Sequence, residues 1–514
     1  MTTVESPPGG PEAGARTASL KPDAIGFLDS LVIGLASTAP AYSLAAVIGS
    51  LVVVVGLQAP AALLASFVPM FLIAGAFFYM NRADRDAGTT FSWVTRALGP
   101  WIGWLGGWAV CMTGILVVGS LADVGARYTY LLLDWDSAAG SKPAVMALAI
   151  VYIAVLTWIC ILGTELSART QNVMIVAQVG SLLLFAGVAL SKVWGGDAGP
   201  QAIDPSWSWF SPFAIDDRDA LVAALLLGVF IYWGWESAVN LCEETTNSRL
   251  VPGLSALTST VVLLVTYVSV GVAVVAFAGA ERLVEFDDDE GIFGVLALDV
   301  LGSPWDKLVL LAIVTSAVAS TQTTIIPASR TALSMARSGA FPSVLARIHP
   351  RFRTPHVATA LVSLLAVAWY VPANAISENF LFDSLSALAL MIAFYYALSG
   401  AACVVYYRRE LTRSIWNFVV IGVGPAVGAL LLGYLFVEAT RSLADTGESY
   451  SGQEILGVAP PLAIGYGFLL LGVVLMVVWR AVGDHGSFFA RRGLERVDPA
   501  IASGTVRVEE DPAA

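Results

Sequence analysis

The chain has 514 residues, of which 57% are hydrophobic and only 13% charged, and its formal net charge is −12. Soluble domains carry about a quarter of their residues as charges, so an ordinary water-soluble protein is excluded and lipid must be the solvent for most of this chain. The apolar residues come in blocks long enough for helices that cross a bilayer with their backbone hydrogen bonds satisfied internally, which points to a helical bundle and not a barrel.

In chain order, residues 1–24 open with Ser6-Pro7-Pro8-Gly9-Gly10-Pro11 and lack apolar periodicity, which predicts a disordered tail without a cleavable signal peptide. Spans are predicted at 27–56, 60–80, 101–132, 143–162, 170–194, 219–240, 253–280, 304–336, 356–373, 380–407, 415–438 and 460–483, about twelve in all. The stretch from Asp484 to the end again reads as a disordered tail.

Orientation follows from where Lys and Arg lie. Arg82, Arg85, Arg96, Arg337, Arg347, Arg351, Arg353, Arg408, Arg409, Arg413, Arg480, Arg491 and Arg492 fall in alternate loops or tails, which predicts a cytoplasmic-membrane protein with both termini in the cytoplasm. The opposite loops hold Asp204, Asp216, Asp217, Asp219 and the run Asp287-Asp288-Asp289-Glu290, read as a solvated outer surface. Cys111, Cys160, Cys242 and Cys403 show no disulfide or metal spacing, and His349, His356 and His485 all sit on the predicted cytoplasmic side, so a histidine triad or intramembrane zinc site is not expected. No phosphate-binding glycine loop is present, and the basic residues follow topology, not a nucleic-acid surface.

Two apolar spans are interrupted. The first carries Gly34-Leu35-Ala36-Ser37-Thr38-Ala39-Pro40-Ala41-Tyr42-Ser43, and Pro40 has no N–H for the helix ladder. The sixth carries Ile231-Tyr232-Trp233-Gly234-Trp235-Glu236-Ser237, roughly 200 residues later. A second echo, Leu98-Gly99-Pro100-Trp101 against Leu301-Gly302-Ser303-Pro304-Trp305, recurs at a similar interval and on opposite sides of the membrane, as an inverted repeat of five helices requires. The expected division is a first repeat over 25–194, an outer loop over 195–218, a second repeat over 219–410, two further helices over 411–483 and the tail 484–514. Either interruption alone is a kink or an unwound segment. Paired, they favour unwinding, because bare peptide groups at mid-membrane are tolerated only where they line a cavity or meet a ligand.

These residues resemble the amino acid-polyamine-organocation permeases. The resemblance rests on Gly88-Thr89-Thr90-Phe91-Ser92-Trp93-Val94-Thr95-Arg96-Ala97-Leu98-Gly99-Pro100 with Gly106-Gly107-Trp108, and on the run from Ser329-Arg330 to Phe341-Pro342 with Thr354-Pro355-His356-Val357-Ala358. Tyr232-Trp233-Gly234-Trp235-Glu236 with Glu243-Glu244-Thr245 is similar to the sixth-helix motif of a bacterial branch. It implies an all-α, LeuT-like core of five plus five helices with two more appended, and transport of an amino acid or related amine by alternating access. By that resemblance a substrate carboxylate would meet backbone N–H groups around Ser37, Thr38, Ala39 and Ala41. The amine would meet carbonyls near Trp233 and Gly234, with Trp233 or Trp235 as a gate. Where family members commonly have glycines in the first break, this chain has Ala39-Pro40-Ala41.

Charges inside a membrane ask for a partner or a role. Asp123 lies four residues before Arg127 on one helix face and either pairs with it or contacts a substrate amine. Glu236 either carries a proton, braces the unwound turn, or snorkels to cytoplasmic water. Glu243 and Glu244 are expected in solvent or paired with loop arginines. Some proton-coupled relatives hold a lysine where Gln178 falls here, which leaves a sodium route through Ser316, Ser320, Thr321, Thr323 and Thr324, another proton carrier, or exchange without an ion. Those hydroxyls serve equally to pack small-residue helix interfaces. The outer segment 281–304 reads as an external lid or a solvated linker. No cofactor is expected beyond a coupling ion such as H+ or Na+. The rival readings are a non-transporting receptor on the same architecture and a polyamine or organic-cation transporter.

Overall fold

A computed structural model of the chain describes residues 20–215, 217–284, 292–376, 379–449, 451–482 and 486–490. Asp216, the acidic run 287–290, His485, Arg491, Arg492 and most of both expected tails lie outside the described residues.

The helices follow the apolar blocks. The first predicted span is α1 (Phe27–Ser37) with α2 (Pro40–Val55), followed by α3 (Ala59–Ala83), α4 (Thr90–Leu98), α5 (Pro100–Leu132), the short α6 (Asp136–Ala139), α7 (Lys142–Leu162) and α8 (Thr164–Gly195). The sixth is α9 (Arg218–Ile231) with α10 (Ser237–Asn240), and α11 (Val251–Val284), α12 (Ile292–Leu301), α13 (Lys307–Arg337), α14 (His356–Ile376) and α15 (Asn379–Tyr406) come next. The short α16 (Ile415–Asn417) leads into α17 (Gly424–Ser442), and α18 (Pro460–Ala481) and α19 (Gly486–Ala490) close the described chain. No strand forms among the described residues, only isolated bridges such as Ile25 with Thr245.

Among the described residues, ten helical stretches are long and apolar enough to cross a membrane. The count differs from the twelve expected for two reasons. The stretch Phe27–Ala83 covers two predicted spans, and the sixth predicted span is absent from the ten because α9 stops after 14 residues. The core helices are α5 and α13, whose apolar windows are 94% and 78% buried, whereas α18 and α7 at 22% and 28% face outward.

Four further differences from the sequence reading have local causes. Thr90–Leu98 is a helix too short to register as a span, laid against α5 because Gly103 and Gly107 carry no Cβ: one at Gly103 would lie 2.6 Å from the Thr95 backbone and one at Gly107 2.9 Å from Phe91 Cβ. Residues 292–301 are not a solvated linker but a helix, with Phe293 packed on Phe185 at a centroid distance of 5.3 Å and Asp299 paired with Arg282. Residues 20–24, expected in the N-terminal tail, are docked: Ala24 N–H donates to the Glu244 carbonyl at 2.8 Å, and Arg353 Nη2 to that of Leu20 at 3.0 Å. Residues 486–490, expected in the C-terminal tail, form a helical turn whose Phe488 and Phe489 pack on Phe91 and Trp101 at 5.9 and 4.7 Å.

Candidate functional site

The two interrupted segments touch. Between α1 and α2 the chain leaves the helix at Thr38 and Ala39, with Ala39 in the left-handed region (φ 50°, ψ 60°) and Pro40 starting the next helix where its missing N–H costs nothing. Between α9 and α10 the break spans Tyr232 to Glu236, with Gly234 at φ +121°. A Cβ on Gly234 would lie 2.6 Å from the Ser37 carbonyl oxygen and 3.0 Å from the Thr38 nitrogen, so only glycine lets one bare backbone lie on the other.

Side chains then take up the peptide groups that unwinding releases. Ser320 Oγ on α13 donates to the Ser37 carbonyl at 2.9 Å, Ser43 Oγ to that of Thr38 at 2.7 Å, and Tyr267 Oη on α11 to that of Ile231 at 2.8 Å. The Tyr42 N–H reaches Ser316 Oγ at 3.3 Å, and Ser37 Oγ is hydrogen-bonded to Ser237 Oγ at 2.6 Å across 200 residues of sequence. Thr321 and Thr323 instead bond the Ala317 and Ala319 carbonyls of their own helix at 2.7 and 3.0 Å.

A small cavity lies beside the breaks, lined by Ser37, Thr38, Ala39, Tyr42, Ser43, Val117, Leu121, Phe230, Trp233 and Ser320. At about 10 Å³ it has room for roughly one water. Five residues named from the sequence line it: Ser37, Thr38, Ala39 and Trp233, expected at the substrate, and Ser320, expected on an ion route. The others do not. Ala41 is buried in the first turn of α2, Gly234 is covered by the facing backbone, and Trp235 is stacked on Tyr396 and edge-on to Phe77 at 5.3 and 5.1 Å. Sequence reading passed over Tyr42, Ser43, Val117, Leu121 and Phe230, although helical spacing puts Phe230 one turn before Trp233 and Val117 one turn before Leu121.

Phe230 also lines a second cavity of about 50 Å³ formed by the α2, α9, α15 and α17 segments around Val47, Leu226, Leu385 and Leu443. Phe230 is thus shared by the linings of the central cavity and this vestibule.

Glu236 is buried and does not reach water. Its carboxylate accepts from Tyr395 Oη at 2.6 Å, from the Gly234 N–H at 3.2 Å and from Tyr396 Oη, while Trp233 Nε1 donates in turn to Tyr395 Oη. Three donors spread over two elements satisfy the carboxyl group, and no ion pair among the described residues reaches it. The result ties α15 to the turn that carries Gly234.

Asp123 accepts from Asn374 Nδ2 at 2.9 Å and from Tyr370 Oη, and with Arg127, Lys142 and Asn374 it lines a separate polar cavity of about 100 Å³. It is not among the residues lining the central cavity. Gln178 is fully buried on α8, with neither polar atom hydrogen-bonded among the described residues.

At the face holding the docked N-terminal segment, Glu244 is paired not with a loop arginine but with Arg330 inside α13, both carboxylate oxygens within 3.3 Å of the guanidinium and both side chains buried. Glu243 pairs with Arg337 at 2.9 Å, and Asn240 Nδ2 donates to the Ala87 carbonyl and to Thr89 Oγ1, each at 3.0 Å. The end of the broken sixth span is thereby fastened to α13 and to the α3–α4 connection.

A family model described as amino acid permease matches residues 28–460. The chain belongs to that family. This permease is accordingly a multi-pass secondary transporter of small molecules and not an enzyme. The methylthioribose transporter of Bacillus subtilis (strain 168) is 23% identical to it over 58% of this chain and 65% of that protein, and the serine/threonine exchanger SteT of the same organism is 24% identical over 70% and 77%. Among solved structures, MhsT in complex with L-phenylalanine shares the fold at a TM-score of 0.55 and 14% identity, covering 80% of the permease and 98% of that chain. A manganese transporter of Eremococcus coleocola does so at 0.53 and 11%, covering 90% and 95%.

Proposed function

We propose that the permease carries a small neutral amino acid across the cytoplasmic membrane by alternating access, holding it in the cavity beside the paired breaks. The observation that carries this reading is the direct contact of Gly234 with the Ser37 backbone, which makes the two unwound segments one site. The cavity lining offers hydroxyls and peptide groups but no carboxylate, amine or guanidinium, with Val117, Leu121, Phe230 and Trp233 as an apolar wall. A zwitterion meets such a lining with no charge left over. A diamine or polyamine would bring a second cation with no carboxylate to receive it, since Glu236 is engaged behind Tyr395 and Tyr396 and Asp123 belongs to a different cavity.

In this reading the ring of Phe230 is the gate toward the vestibule, the Arg330–Glu244 pair is the lock on the opposite side, and Glu236 braces the broken sixth span through both states. The arginine-rich face is cytoplasmic and both termini lie there. Two relatives are named for substrates of this class, a serine/threonine exchanger and a branched-chain amino acid permease, while others are named for methylthioribose and for cationic amino acids.

Counterflow in reconstituted vesicles tests this. Vesicles preloaded with serine, threonine, leucine or phenylalanine should accumulate the labelled amino acid, and those loaded with putrescine or spermidine should not. Accumulation of a diamine alone would overturn the substrate class. Binding without accumulation would overturn transport and leave a receptor.

A further inference from the structure

A groove of about 510 Å³ opens between α14 and α18, with α5 and α13 as its floor. Its rims are Leu361 and Leu365 on one side and Leu471 and Leu475 on the other, each 38–43% exposed, so it is open to what surrounds the helices, which for these spans is lipid. The α18 wall cannot fold down to fill it. Trp108 Nε1 donates to the Phe468 carbonyl at 2.8 Å and Trp479 Nε1 to that of Gly339 at 3.1 Å, pinning α18 at both ends of the groove.

Its length and its charge are informative. Along α14 it runs from Ala358 to Trp369, where Trp369 meets Phe468 edge-on at 5.1 Å. That stretch rises about 16 Å, one leaflet of a hydrocarbon core about 30 Å thick. The end beside Leu345 and Ala358 meets a loop holding Arg347, Arg351 and Arg353, and residues 338–360 contain no Asp or Glu. Arg347 and Arg351 are exposed.

We propose that this groove binds an acyl chain of an anionic phospholipid from the leaflet on the arginine-rich side, with the lipid phosphate against Arg347 and Arg351. A packed protein does not leave an apolar void of this size empty, and cations at headgroup depth select an anionic lipid over a zwitterionic one. The site is separate from the central cavity and does not depend on which solute is carried.

Native mass spectrometry tests the proposal, on the full chain released from bilayers of equal palmitoyl-oleoyl phosphatidylglycerol and phosphatidylcholine. The wild type should retain phosphatidylglycerol over phosphatidylcholine by about 25-fold, two arginines each contributing about fivefold. Leu365→Trp, a rim substitution, should fill the groove and abolish retention of both lipids. Arg347→Glu with Arg351→Glu should keep a bound lipid but erase the preference. Size-exclusion profile and helical circular dichroism establish that each variant is folded. Equal retention of the two lipids by the wild type, or retention unchanged by Leu365→Trp, overturns the proposal. So does a dimer of the wild type that Leu365→Trp dissolves, which would give the groove to a second copy.

Discussion

Replacing Gly234 by alanine isolates the contact between the two breaks. The backbone there has φ +121°, a conformation L-residues rarely adopt, and the new methyl carbon would lie 2.6 Å from the Ser37 oxygen and 3.0 Å from the Thr38 nitrogen. Strain of that kind costs about 1–3 kcal/mol, and forcing an extra carbon into a packed site about 1–3 kcal/mol more. The neighbours are backbone atoms, so neither can rotate aside. The sum, about 2–6 kcal/mol, applies to conformations in which the breaks touch. At 1.4 kcal/mol per factor of ten, the closed state should lose about thirtyfold or more in population. Counterflow turnover of a neutral amino acid should fall by at least that factor in Gly234→Ala. Gly180→Ala, where a Cβ meets nothing within 4 Å, should leave turnover unchanged. Wild-type turnover and affinity in Gly234→Ala would refute the idea that the two breaks close on each other.

Asp123→Asn should leave the KM for uptake unchanged, because Asp123 lines a different cavity; a raised KM would return it to the substrate site. Phe230→Ala should join vestibule to central cavity, raising the substrate Kd measured by equilibrium binding while the melting temperature stays within a few degrees. Arg330→Met alone should destabilise the fold by about 3–5 kcal/mol by stranding Glu244, as a buried carboxylate without its partner does. Adding Glu244→Leu should restore the melting temperature, yet speed maleimide labelling of Cys242, now buried at the same end of the broken span. Glu236→Gln puts an amide donor against Tyr395 or Tyr396, each of which already donates to the carboxylate, and should cost about 1–3 kcal/mol in thermal unfolding. Tyr395→Phe in that background should recover part of the loss.

The membrane setting, the helices and the location of both breaks were legible in the sequence, because they follow from local properties: apolar runs long enough to cross lipid, a proline without its N–H at position 40, a glycine among aromatics at 234. The family resemblance, laid on those breaks, named Ser37, Thr38, Ala39 and Trp233, which sit in the unwound turns themselves. Only the tertiary structure could decide what those turns meet. Val117 and Leu121 read as ordinary apolar residues of a long helix, and nothing in their spacing tells that this face of α5 closes the cavity. Asp123 and Glu236 looked alike as lone carboxylates in apolar spans. Tyr370 and Asn374, 247 and 251 residues from Asp123, draw it into a separate cavity, and Tyr395 and Tyr396, 159 and 160 residues from Glu236, build the other carboxylate into the break beside the adjacent Gly234 amide. Burial of a charge is paid for by whichever donors packing brings within reach, and that depends on how helices distant in sequence cross.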